Sequence, residues 1–127
     1  MYFSPLEDAL RRFGKREFRP MQRELMECAL RGRSCIGILP TGSGKSLCYQ
    51  IPAVLMDGVA VVVSPLIALM RDQVSGLEKL GVAAARYDSS LSDEEKEALM
   101  ASLKSGGVRL LFAAPESLES SWMKQAL

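Results

Sequence analysis

The stretch Leu39-Pro40-Thr41-Gly42-Ser43-Gly44-Lys45-Ser46 constrains the fold of this chain more than any other. It follows the apolar run Cys35–Leu39 and precedes an apolar stretch of helical character that starts at Lys45. Gly42 and Gly44 reach backbone angles closed to other residues and turn successive N–H groups inward. Together with a helix N-terminus, those donors surround a polyphosphate. Lys45 adds a point charge for the β- and γ-phosphates, and Ser46 offers a hydroxyl to a magnesium ion. The strict pattern has glycine where this chain has Leu39, while Gly44-Lys45-Ser46 and the strand–turn–helix context hold. The competing reading is a glycine-rich turn with a surface lysine, and the ordered flanks argue against it.

The rest of the sequence extends the same alternation. Ser4-Pro5-Leu6-Glu7 reads as a capping box opening a short helix that stops near Gly14. Pro20 opens a second helix with Met21, Leu25, Cys28 and Ala29 on its apolar face, closed by Gly32. Four apolar runs read as strands: Cys35–Leu39, Val59–Val63, Val82–Ala85 and Val108–Ala113. Between them lie helical patterns over Lys45–Met56, Leu66–Leu80 and Ser92–Leu103, with Gly58, Gly81 and Gly106 at the expected C-terminal caps. Ser92 and Glu95 form another capping box. Strands without polar alternation, spaced by helices, predict an α/β fold with a parallel sheet covered on both faces.

Composition narrows the chemistry. With 127 residues, 48% apolar and 24% charged, the length suits one domain and rules out a disordered or disulfide-built chain. There is no histidine, so Ser-His-Asp and Cys-His nucleophiles and histidine-bound zinc are excluded. Cys28, Cys35 and Cys48 contain no Cys-x-x-Cys pair and read as reduced thiols in a core. From Ser46 to Met70 the one charge is Asp57, but Pro52, Gly58 and Pro65 interrupt the span, so a buried helix followed by a buried strand explains it better than a membrane crossing. No export signal is read at the N-terminus. The net charge of +1 exerts no global pull on nucleic acid; residues 1–33 hold eight basic and five acidic groups, a local basic face beside the second helix.

Four segments identify the pattern: Phe13-Gly14, Phe18-Arg19-Pro20-Met21-Gln22, the run from Pro40 through Lys45-Ser46-Leu47-Cys48-Tyr49-Gln50-Ile51-Pro52-Ala53, and Val63-Ser64-Pro65-Leu66-Ile67-Ala68-Leu69-Met70-Arg71-Asp72-Gln73-Val74. In order and spacing they resemble the successive motifs of RecQ-type DNA helicases of superfamily 2, whose loop needs no first glycine. The resemblance runs from about Phe13 to Leu118. It implies a P-loop NTPase fold, the RecA-like parallel sheet, represented by about four strands without the strand that carries the acidic motif. Residues 1–33 would be a helical adenine-recognition segment and 34–127 a partial RecA-like sheet, together the N-terminal portion of the ATP-binding lobe.

The resemblance also implies roles. Gln22 would read adenine through its carboxamide, which donates and accepts at once, with Arg19 stacking on the base; a helical glutamine taken alone is more often simply solvated. Thr41, Gly42, Ser43, Gly44, Lys45 and Ser46 would hold ATP, Lys45 as the catalytic cation and Ser46 toward Mg²⁺. Ser64, Arg71 and Gln73 would line one side of a single-strand channel; a capped amphipathic helix with Arg71 in water is an equal reading. Lys15 stands where many relatives have an aromatic residue, and Ser117 where the Pro-Glu-Arg-Leu motif has arginine.

The Asp-Glu-x-His segment, the arginine fingers and a second lobe of this machinery are not found in the 127 residues. The expectation is therefore the N-terminal part of a first motor lobe. The parent would couple ATP hydrolysis to three-prime to five-prime translocation on single-stranded DNA and to duplex unwinding. The isolated chain would bind ATP weakly without turnover, bind DNA weakly, and self-associate through unpaired sheet edges. The alternative is a non-catalytic nucleotide-binding or interaction module derived from such a lobe. No membrane partner is expected; the setting would be cytoplasmic and nucleoid-associated in a bacterium, nuclear in a eukaryote.

Overall fold

Three of the four apolar runs become strands. The computed structural model describes residues 3–40 and 44–127 and divides into two units, Met1–Asp57 and Gly58–Leu127. In the second unit, β1 (Ala60–Val63), β2 (Ala84–Tyr87) and β3 (Leu110–Ala113) form a parallel sheet in the order β1-β3-β2. Leu111 sits in register with Val61 on one side and Ala85 on the other. As the middle strand, β3 has all four residues buried, and each large side chain there contributes about 1.5–3 kcal/mol of burial.

Helices join these strands. In the numbering used here the first three helices belong to the other unit: α1 is Phe3–Arg12, α2 is Gln22–Leu30 and α3 is Leu47–Leu55. Between β1 and β2 runs α4 (Ile67–Lys79), between β2 and β3 runs α5 (Asp93–Lys104), and β3 leads through a 3-10 turn at Pro115–Glu119 into α6 (Ser121–Ala126). The Ser92 capping box forms, with Glu95 N–H donating to Ser92 Oγ at 3.1 Å and Ser92 N–H to Glu95 Oε1 at 2.9 Å. β2 starts two residues later than expected because the Val82 amide bonds back to the Leu77 carbonyl at 3.0 Å, closing α4 instead of entering the ladder. Against the sheet, Trp122 stacks on Tyr87 with ring centroids 4.2 Å apart and donates from Nε1 to the Lys96 carbonyl at 3.2 Å.

In Met1–Asp57, α3 packs on both α1 and α2 around Leu6, Leu10, Phe13, Met26, Leu47 and Ile51. The capping role expected of Ser4 rests on a side chain that lies outside the described parts of the chain, and α1 already includes Ser4. The buried face of α2 carries Gln22 and Met26, one turn apart. Met21 is not on the apolar face as expected: it precedes the helix as N-cap and is 49% exposed.

The fourth expected strand, Cys35–Leu39, does not form. It carries no strand pairing among the described residues, and Ile36 and Ile38 are 92% and 91% exposed. Apolar, β-branched composition favours a strand only when a neighbour supplies the ladder hydrogen bonds and covers the side chains. For the same reason Cys35 is exposed, and Cys28 and Cys48 are half-buried, where a core was expected. The apolar span from Ser46 to Met70 resolves into α3, β1 and the first turn of α4, and among the described residues no helix is long and apolar enough to cross a membrane.

Candidate functional site

Of the expected nucleotide residues that the structure describes, Arg19 and Gln22 stand at the start of α2 and Gly44, Lys45 and Ser46 at the start of α3. Met21 takes φ 72°, a left-handed conformation unusual for a residue with a side chain, and this turn brings Gln22 in as the first helical residue. Gln22 is 1% exposed. Its Oε1 accepts from the Arg19 amide at 2.7 Å, and its Nε2 donates to the Gly44 carbonyl at 3.0 Å. One buried carboxamide thus ties the Phe18-Arg19-Pro20 approach to the end of the phosphate loop. Gly44 is required twice over: its φ is +77°, and a Cβ there would lie 2.5 Å from Gln22 Nε2.

Lys45 is exposed directly before α3. Ser46 is the α3 N-cap residue, yet its side chain makes no capping bond and hydrogen-bonds the Tyr49 phenol instead. Burial pushes the Tyr49 phenol up, and that hydrogen bond offsets part of the rise. The first turn of α3 has no acidic side chain. An ammonium, a hydroxyl and a helix N-terminus whose first turn carries no carboxylate form a donor set that fits a polyphosphate and its cation. Thr41, Gly42 and Ser43 lie outside the described residues. Arg19 is exposed, as is Lys15.

Two features here were not anticipated. The Arg23 guanidinium lies 4.6 Å from the centroid of the Phe18 ring and pairs with Glu7 at 3.0 Å. These residues, with Leu10, Arg16 and Glu17, border a cleft of about 280 Å³ beside α1. The Arg23–Glu7 pair joins residues 16 apart in sequence, a separation that local patterning does not encode.

Among the residues expected to touch DNA, Ser64 ends β1: its amide donates to the Ala113 carbonyl at 3.0 Å, and its Oγ accepts from the Leu66 amide at 3.3 Å. The hydroxyl therefore sets the turn into α4. Arg71 is exposed on α4 and borders a cleft of about 420 Å³ together with Val74, Lys79 and Arg86. Gln73 is half-buried and, like Ser64, is not part of that lining. Ser117 is buried in the 3-10 turn, its carbonyl accepting from Ser120 Oγ at 2.7 Å. Sequence reasoning also passed over Asp88. This 1% exposed carboxylate accepts from the Ser90 amide at 2.8 Å, from the Ser90 hydroxyl and from the Arg86 guanidinium. Burial alone would raise its pKa, but the Ser90 and Arg86 contacts outweigh it and hold the carboxyl below its usual range.

Residues 19–127 match the family model for DEAD/DEAH box helicases, and the chain belongs to that family. More narrowly, it is 46% identical over 116 residues to the ATP-dependent DNA helicase RecQ of Synechocystis, covering 91% of this chain and 24% of that protein. It is 43% identical over 106 residues to RecQ of Haemophilus influenzae, covering 84% of this chain and 17% of that protein. These relatives bear out the resemblance to RecQ-type helicases, with this chain corresponding to their N-terminal region, and the chain spans less than a quarter of either length. The crystal structure of the DUF1998 helicase MrfA bound to DNA and AMPPNP superposes with a TM-score of 0.74 at 22% identity, over 93% of this chain and 17% of that one. At that identity the likeness concerns the fold. It agrees with the α/β class and with an incomplete P-loop NTPase sheet.

Proposed function

We propose that this region is the nucleotide-binding part of an ATP-dependent DNA helicase, and that the parent couples ATP hydrolysis to three-prime to five-prime movement on single-stranded DNA and to duplex unwinding. The observation that carries the reading is the Gln22 carboxamide bridging the Arg19 amide and the Gly44 carbonyl. It joins the base-reading segment and the phosphate loop into one unit, so adenine and polyphosphate are held from a shared anchor. A carboxamide donates and accepts at once, which suits Gln22 to adenine N6 and N7.

Lys45 and Ser46 would hold the β- and γ-phosphates and Mg²⁺, with Thr41, Gly42, Ser43 and Gly44 supplying backbone donors. When bound, the metal neutralises charge building on the phosphates. Arg19 would stack on the base. In the second unit Ser64, Arg71 and Gln73 would follow the DNA backbone, with Arg71 as the exposed cation. By themselves the 127 residues bind ATP weakly and do not turn it over. They self-associate through the edges of β1 and β2 and through the uncovered Cys35–Leu39 segment.

Titration of the chain with a fluorescent ATP analogue tests this. Binding lost in Lys45→Ala and no preference for guanine nucleotide are the expected results. Equal binding by wild type and Lys45→Ala would overturn the phosphate-loop assignment. Sedimentation across a concentration series tests association, and a monomer throughout would refute it.

A further inference from the structure

All three cysteines fall in Met1–Asp57, and two of them meet at the end of α2. Gly32 takes φ +73°, and the Arg33 amide donates back to the Cys28 carbonyl at 3.1 Å. This is the reversal that closes a helix with a left-handed glycine. It lays residues 33–35 along the last turn of α2. Cys28 Sγ consequently lies 3.6 Å from the Arg33 carbonyl oxygen and 3.9 Å from that of Ser34. Cys35 is the next residue, so its side chain leaves the backbone beside the Cys28 sulfur, close enough for Cys28 to raise the Cys35 thiol. Cys35 is exposed while Cys28 is half-buried, so one thiol is open to reagents and the other stands behind it. Cys48, on α3, is near enough for Cys35 to raise its thiol through charge, though burial is the larger cause, and among the described residues no group of three cysteine or acidic side chains is placed to hold a metal ion.

We propose that Cys28 and Cys35 are a modification site: they close a reversible disulfide on reaction with a small-molecule disulfide such as oxidised glutathione. The Cys35 thiolate attacks one glutathione sulfur, forming a mixed disulfide and releasing one glutathione thiolate. Cys28 then loses its proton to solvent, and its sulfur attacks Cys35 Sγ, closing the bridge and expelling the second glutathione thiolate. Two protein thiols are oxidised, one glutathione disulfide is reduced to two glutathione molecules, and the two protons lost by the protein are taken up by the medium or the released thiolates. The bridge would fasten the approach to the phosphate loop, Cys35–Leu39, to α2. That segment has no strand partner among the described residues, so bridging it breaks no ladder. The Cys28 hydrogen bond, then desolvation, pushes the Cys35 thiol up, so bridging accelerates with rising pH, about tenfold per pH unit below the thiol pKa.

The reduced 127-residue chain is incubated with excess oxidised glutathione, alkylated, and mapped by tryptic digestion without reduction. Two thiols should disappear, the intact mass should fall by two hydrogens, and the Cys28 and Cys35 peptides should stay linked, with Cys48 alkylated. Cys48→Ser should bridge at the wild-type rate, and Cys28→Ser should stop at a glutathione adduct on Cys35. A Cys35–Cys48 bridge, a stable glutathione adduct in the wild type, or three alkylated cysteines would each overturn the proposal. Wild-type mapping decides the matter even if a variant fails to fold. None of these readouts depends on nucleotide binding.

Discussion

Two apolar segments of similar composition meet opposite fates. Leu110–Ala113 lies between two parallel neighbours and is buried throughout, whereas Cys35–Leu39 has no strand partner among the described residues and leaves Ile36 and Ile38 exposed. The difference teaches that strand propensity is a statement about fitting between neighbours. The helices show the contrary behaviour: α5 forms where its own capping box and first-turn acids specify it, although none of its residues is fully buried.

The sharpest way to break this contrast is to truncate one side chain in each segment. Phe112→Ala should cost about 3–5 kcal/mol in chemical denaturation, while Ile36→Ser should stay within about 0.5 kcal/mol. A comparable loss at both positions would mean that Cys35–Leu39 is packed. Gly44→Ala comes next, at about 2 kcal/mol, because a side chain there must adopt a left-handed conformation against Gln22 Nε2. Its pairing with Gln22→Ala in a double-mutant cycle should show less than additive loss.

Asp88 sharpens the comparison from the sheet side. Its carboxyl is held below the usual range in the folded state, so the unfolded chain takes up the proton first as pH falls. The stability it supplies is therefore full above the ordinary carboxylate pKa and is lost as pH drops through the folded value. Asp88→Asn should lower stability at neutral pH and flatten the acid limb of a stability–pH profile; an unchanged limb would refute the linkage. Smallest is Met21→Gly, which relieves a left-handed side chain and should stabilise by up to about 1 kcal/mol against the added flexibility of glycine.

Helix positions were legible because caps and periodicity act over a few residues: Ser92 with Glu95 marks the start of α5, and the α3 and α4 boundaries fall within two residues of expectation. The start of β2 was missed because the Val82 amide is taken by the end of α4. The motif residues of the phosphate loop and of Phe18–Gln22 were legible as types. That Gln22 is buried against Gly44, 22 residues away, was not, since nothing local couples the two.

By itself the sequence determined the α/β alternation and the helix starts and stops, since these depend on backbone preferences and spacing, while the residues proposed for phosphate and adenine rest on a loop motif and a family resemblance. Only the tertiary structure decided which apolar runs became strands, what the Gln22 carboxamide holds, and that the Cys28 sulfur lies against the Arg33 and Ser34 carbonyls, next to Cys35. Each of those depends on a partner distant in sequence or on the path of a chain reversal, because a buried carboxamide or an extended backbone is stable only where other groups complete its hydrogen bonds.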